Sequence, residues 1–386
     1  MRRPGGVAGS EERAELEQHA RLGYRPELDG VRAAAILPVV FFHAYARPEG
    51  GFLGVDIFFV LSGFLITTLL LQEWRESGRI SLRHFYLRRA LRLLPALFAA
   101  LAGYLAYTAA TAFTGKTHDP GRLGHAAESA AYGALYVSNV ILAIGSPHVN
   151  TAVSHLWSLA TEEQFYLVWP LALVLLLRGG ASRLRLSWVL VAAIAILFAD
   201  RTVLDLHGAS HARLYYAPDA HFDGLLVGCL AGVLFVYDRV PALLRSPRFL
   251  ALAGPPLLAG IAAMFAVTNI RAEALPLGLL TAFAVGVGLL LLAVVEHPGS
   301  LLARVLRLAP LVFVGKISYA LYLWHNIMLV AFQHGPVAVK VVLSFAAAIA
   351  SYYVVELPFL RLKRRDRARV DAGEVAPPAP AATMRV

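Results

Sequence analysis

The 386-residue chain is 58% hydrophobic and 16% charged, whereas a soluble domain is typically about 45–50% apolar and about 25% charged. One cysteine, Cys229, excludes an internal disulfide and a multi-cysteine metal site. The net charge of +10 does not point to nucleic acid, because the arginines fall between apolar runs, where membrane topology places them.

In chain order, residues 1–25 are mixed in charge and carry no apolar core of a cleavable signal. Segment 1–27 is therefore expected as a cytoplasmic N-terminal segment. Apolar runs follow at about 33–47, 52–72, 93–113, 129–145, 157–177, 186–200, 219–237, 249–267, 275–295, 310–333 and 337–355. Each is near the length of helix that crosses a bilayer core of ~30 Å. The weakest, 129–145, carries Ser129, Tyr132, Ser138 and Asn139, and charge parity argues against its crossing. Ten spans remain, with both termini cytoplasmic. That count places 26 Lys/Arg on the inner side and 6, Arg201 among them, in outer loops. The expected fold is an all-α, multi-pass protein of the inner or plasma membrane, with a transmembrane domain over 28–360. Residues 361–386 read as a basic, then Ala/Pro-rich cytoplasmic tail, expected to be disordered after Arg369.

Ionisable side chains inside spans are expensive and point to function. Arg32 and His43 stand eleven residues apart, three helical turns on one face and about 16 Å along the axis. The plainer alternatives are an arginine snorkelling to the interface and a hydrogen-bonded structural histidine. Asp56 lies as far beyond the turn at Glu49–Gly50 as His43 lies before it, so the two are level in a helical hairpin. A carboxylate beside the imidazole would fix its tautomer for general-base work. Glu162 and Glu163, then Asp223, then His325 fall at roughly the same depth, and His221 enters the same span as Asp223 from the outer side. Arg32, Arg88, Arg89 and Arg92 lie toward the cytoplasm, the last three on a basic loop, FYLRRALRLLPAL. Such a division suits an anionic donor from inside and a polar acceptor from outside. No nucleotide-binding, metalloprotease or nucleophile-elbow motif is present, and the outer histidines (His118, His125, His148, His155) are too irregularly spaced to predict a metal.

The segments YRPELDGVRAAAILPVVFFHA, GFLGVDIFFVLSGFLIT, FYLRRALRLLPAL, SHLWSLATEEQFYLVWPL, YYAPDAHFDGLLVG, ISYALYLWH and VELPF occur in that order over residues 24–360. Together they resemble the acyltransferase-3 family of integral membrane acyltransferases. The resemblance implies a ten-span enzyme that moves an acyl group, commonly acetyl, from acyl-coenzyme A to a hydroxyl of a glycan or macrolide-like metabolite. Arg32 and His43 fall on its Arg-x10-His motif, Arg89 and Arg92 on its basic motif, and Glu162 and Glu163 on its EEQFY motif. His221 stands where many members carry an arginine, and Asn326-Ile327 where Trp-Pro often follows the WH. The hydrolase-like domain fused to some members is not expected.

On this reading His43, supported by Asp56, is the base. Arg32, Arg88, Arg89 and Arg92 hold the donor's phosphates, and Glu162 or Glu163 positions the acceptor. Asp223, His221, Tyr319 and His325 are acceptor-side candidates. Acyl-CoA is a co-substrate, with no bound cofactor or metal expected. Direct transfer and an acyl-histidine intermediate both remain open. The rival is a transporter or flippase, whose midplane ionisable groups would form a proton or substrate path.

Overall fold

A computed structural model describes residues 22–114, 120–269 and 278–362, and among these every regular element is helical. The expected disordered tail and most of the N-terminal segment lie outside the described residues. The helices are α1 Pro26–Tyr45, α2 Gly54–Ser77, α3 Leu82–Thr114, α4 Pro120–Ala134, α5 Ser138–Ala143, α6 Thr151–Ser154 and α7 Trp157–Arg178. Then come α8 Arg183–Leu206, α9 His211–Tyr216, α10 Pro218–His221, α11 Asp223–Val236, α12 Ala242–Arg245 and α13 Pro247–Val267. The last are α14 Leu280–Glu296, α15 Leu301–Leu306, α16 Ala309–Lys316, α17 Ser318–Ala331 and α18 Val337–Ser351, with a π turn at Tyr352–Glu356.

Five stretches are long and apolar enough to cross a membrane: Pro26–Tyr45, Gly51–Ser77, Leu82–Ala112, Thr151–Arg178 and Val337–Leu362. Asp223–Val236, Ala251–Val267 and Leu280–Glu296 are shorter apolar helices. Several expected runs are interrupted. Run 310–333 breaks at Ile317 between α16 and α17, and run 219–237 breaks at Phe222. Run 129–145 is not one helix: α4 ends, Tyr136 takes φ 56°, and the short α5 follows.

The basic loop is corrected to helix. Arg75 belongs to α2, which stops at Gly78 in the left-handed conformation (φ 66°), its N–H capping the Trp74 carbonyl. Arg83, Arg88, Arg89 and Arg92 all lie on α3. Arginine, leucine and alanine are strong helix formers, and no proline interrupts them before Pro95. A helix fixes the spacing of these guanidiniums, which a loop would not.

The core is organised on α2, which is mostly buried and packs along α11. A Cβ on Gly63 would lie 1.9 Å from the Leu225 carbonyl oxygen, and one on Gly228 2.0 Å from that of Val60. Only glycine permits this backbone approach, the small-residue packing of helices in membranes. It carries Asp56 and Asp223, each at the start of its helix, into the same interior layer.

Candidate active site

Three polar groups occupy the interior. The first contains three histidines. His43 lies in the last turn of α1, which ends at Ala46 in the left-handed conformation. His43 Nδ1 is 2.9 Å from the Val39 carbonyl oxygen and 3.3 Å from His325 Nε2. His325 Nδ1 donates to the Tyr322 carbonyl at 2.8 Å, which leaves its Nε2 as a lone pair. His43 Nδ1 therefore faces two acceptors and carries the proton, so Nε2 keeps the lone pair. No described residue hydrogen-bonds to that nitrogen. His43 is exposed although protein surrounds it closely, so its ring borders a crevice in the bundle. Behind it, His155 packs on His325 with ring centroids 5.0 Å apart. The Tyr322 hydroxyl donates to the His155 carbonyl and lies 2.6 Å from the Ser158 hydroxyl.

The second group joins α3 to α7. Arg89 grips Glu163 at 2.6 and 2.9 Å, stands 3.7 Å from Glu162, and lies 3.2 Å above the Tyr166 ring. Glu162 accepts from the hydroxyls of Ser62 and Tyr166. Arg32, 3.4 Å from Asp29, is within electrostatic reach of Arg92 and Glu162. Arg92 in turn feels Glu163 and Glu356 yet makes no hydrogen bond or ion pair among the described residues. The side chains of Arg32, Arg89, Glu162 and Glu163 retain 15–20% exposure, so they too border open space.

The third group is sealed. Asp56 Oδ1 is 2.9 Å from His221 Nε2, and His221 Nδ1 is 2.6 Å from the Tyr215 carbonyl. Both bonds form only when the pair holds two protons between them. Asp223 pairs with Arg201 at 3.0 Å and accepts from Thr281 at 2.6 Å, both charges fully buried.

Residues 25–356 match a family described as an acyltransferase domain. The chain belongs to this acyltransferase-3 family. It is 33% identical over 315 residues to a peptidoglycan O-acetyltransferase, OatA, of Listeria monocytogenes, covering 78% of this chain and 49% of that protein. It is 30% identical over 365 residues to O-acetyltransferase OatA of Staphylococcus aureus, covering 89% and 58%. It is 32% identical over 371 residues to a putative peptidoglycan O-acetyltransferase, YrhL, of Bacillus subtilis, covering 88% and 55%. The chain thus spans about half the length of the curated relatives it matches. No solved structure matches it.

Within this acyltransferase-3 chain, the expected partnership of His43 with Asp56 is corrected: Asp56 bonds to His221, and its second oxygen has no hydrogen-bond partner among the described residues. His325 takes the place beside His43. Arg89 is engaged by Glu163, and Arg88 lies 3.7 Å from Glu73. Tyr319 donates to the Leu93 carbonyl at 2.9 Å and ties α17 to α3. His155, Ser62, Tyr166, Tyr322 and Arg201 were not singled out as site residues from sequence. Tyr166 is the last residue of the EEQFY signature, His155 opens the segment that leads to it and Tyr322 lies in ISYALYLWH, so their motifs were visible although their contacts were not. Arg201, counted with an outer loop, is instead buried in α8.

Proposed function

We propose that the chain is a membrane O-acyltransferase that moves an acetyl-sized acyl group from acyl-CoA to a hydroxyl of a cell-wall glycan, with ten crossings and both ends on the cytoplasmic face. The observation that carries the reading is the free Nε2 of His43, whose Nδ1 proton is held by Val39 and His325. That is the tautomer a general base requires.

In the proposed step the acceptor hydroxyl gives its proton to His43 Nε2 as its oxygen attacks the thioester carbonyl. The tetrahedral adduct collapses, the C–S bond breaks, and the coenzyme A thiolate recovers the proton from His43. Arg32 and Arg92 take the donor's phosphates, because Arg92 makes no hydrogen bond or ion pair among the described residues and Arg89 is committed to Glu163. The ~16 Å from Arg32 to His43 along α1 accommodates an extended thioester arm between phosphates and reacting carbon. Glu162, held by Ser62 and Tyr166, presents its remaining carboxylate oxygen to sugar hydroxyls. The acceptor class follows from what the relatives' names state of those proteins. The transporter alternative gains nothing from the comparisons.

Purified protein in liposomes, supplied with acetyl-CoA labelled in the acetyl group and muropeptide-free glycan chains, tests the reading. Label is expected on the glycan with stoichiometric release of free coenzyme A thiol. Glycan movement without thiol release would overturn it.

A further inference from the structure

Away from the crevice, three side chains converge as metal ligands do. His125 and Glu128 stand three residues apart on α4, and His148 reaches them from the connection after α5. Glu128 Oε2 is 3.8 Å from His125 Nδ1 and 3.9 Å from His148 Nδ1, with all three ligand atoms within 4.8 Å of one another. Tetrahedral zinc, with bonds of ~2.0–2.2 Å, sets its ligand atoms about 3.3–3.6 Å apart. The two imidazole–carboxylate spacings are within a few tenths of an ångström of that.

The surroundings orient each ligand. The Tyr132 hydroxyl donates to Glu128 Oε1, which turns Oε2 toward the imidazoles, as outer partners of metal-bound carboxylates do. Ser129, buried next to Glu128, lies 2.8 Å from the His125 carbonyl and 2.9 Å from the His148 carbonyl, and accepts the Asn150 N–H at 3.0 Å. That one hydroxyl fixes the backbone bearing His148 to the helix bearing the other two ligands. The side chains of His125 and His148 are 62% and 51% exposed, so water has room to complete a coordination sphere.

We propose that His125, Glu128 and His148 bind a divalent transition-metal ion of the zinc class, clipping α4 to the connection that runs through Asn150 to His155. Two imidazoles and one carboxylate select zinc, cobalt, nickel or copper over magnesium and calcium, which prefer all-oxygen sets. Because His155 packs on His325, the clip braces the wall behind His43.

The test uses full-length protein in detergent, purified on an affinity tag without histidine and stripped with chelator. Zinc is titrated calorimetrically, and cobalt by its visible absorption. One equivalent is expected per chain, with tetrahedral cobalt bands and a rise in Tm on zinc addition. His148→Ala and Glu128→Gln should each weaken binding at least about tenfold, while the distant His207→Ala binds as wild type. Glu128→Gln keeps the side chain's shape, so monodisperse elution separates a lost ligand from a lost fold. Absence of stoichiometric binding would overturn the proposal, and so would unchanged affinity in folded His148→Ala and Glu128→Gln, which would put the ion among others of the 13 histidines.

Discussion

His325 Nε2 lies 3.3 Å from His43 Nδ1, with the two rings packed at a centroid distance of 5.0 Å. The contact works in one direction, because His325 Nδ1 is already committed as a donor to the Tyr322 carbonyl. His325 therefore accepts from His43 and holds its proton on the nitrogen away from the crevice.

This makes His325 a positioning residue. His325→Ala is expected to lower kcat about tenfold or more, a part of the ~10²–10⁴-fold that a general base contributes, with KM for acyl-CoA little changed. The His43→Ala/His325→Ala double variant should be no slower than His43→Ala alone, since residues acting as a unit are not additive. Steady-state kinetics of the four proteins read this directly; a double variant slower by the product of both losses would assign His325 a separate role.

The arginines of α3 are expected to divide by their partners. Charge-assisted hydrogen bonds contribute about 1.5–3 kcal/mol each, so Arg92→Gln should raise KM for acetyl-CoA about tenfold or more. A short thioester lacking the nucleotide should be used as before. Arg89→Gln should instead cost folded protein, because it leaves Glu163 partnerless, and Arg89→Gln/Glu163→Gln should recover part of that loss. Thermal unfolding and acetyl-CoA kinetics measured side by side separate the two outcomes.

Residue counting put His43 and His325 at one level because the rise of a helix is fixed, and the two rings do meet. Rotation was not legible, because it depends on which neighbour each face meets. Thus Asp56 was levelled with His43, but α2 turns it toward His221, and α1 turns His43 toward His325. Chain resemblance located the EEQFY glutamates and the basic motif; that α3 is already helical at Arg83 was hidden because a charge run beside an apolar run reads as a loop. The Arg201–Asp223 pair was illegible for a related reason: an arginine near the end of a weakly apolar run counts as a topology signal until Thr281 and Asp223 are seen around it.

The seam between α2 and α11 gives a structural prediction. An alanine methyl at 228 would stand 2.0 Å from the Val60 carbonyl oxygen, so the helices must separate. Overpacking a tight core costs about 1–3 kcal/mol. Gly228→Ala should lower Tm and the yield of monodisperse protein, whereas Gly260→Ala, on α13 with open space around its Cβ position, should leave both close to wild type. Size-exclusion profiles and thermal unfolding of both variants check this.

The central claim is that His43 Nε2 accepts the acceptor's proton. The most direct measurement is the rate of acetyl transfer from acetyl-CoA to glycan by purified, correctly inserted His43→Ala against wild type. A loss of about 10²–10⁴-fold is predicted, with insertion and Tm close to wild type. Transfer by His43→Ala at more than about a tenth of the wild-type rate would contradict the account.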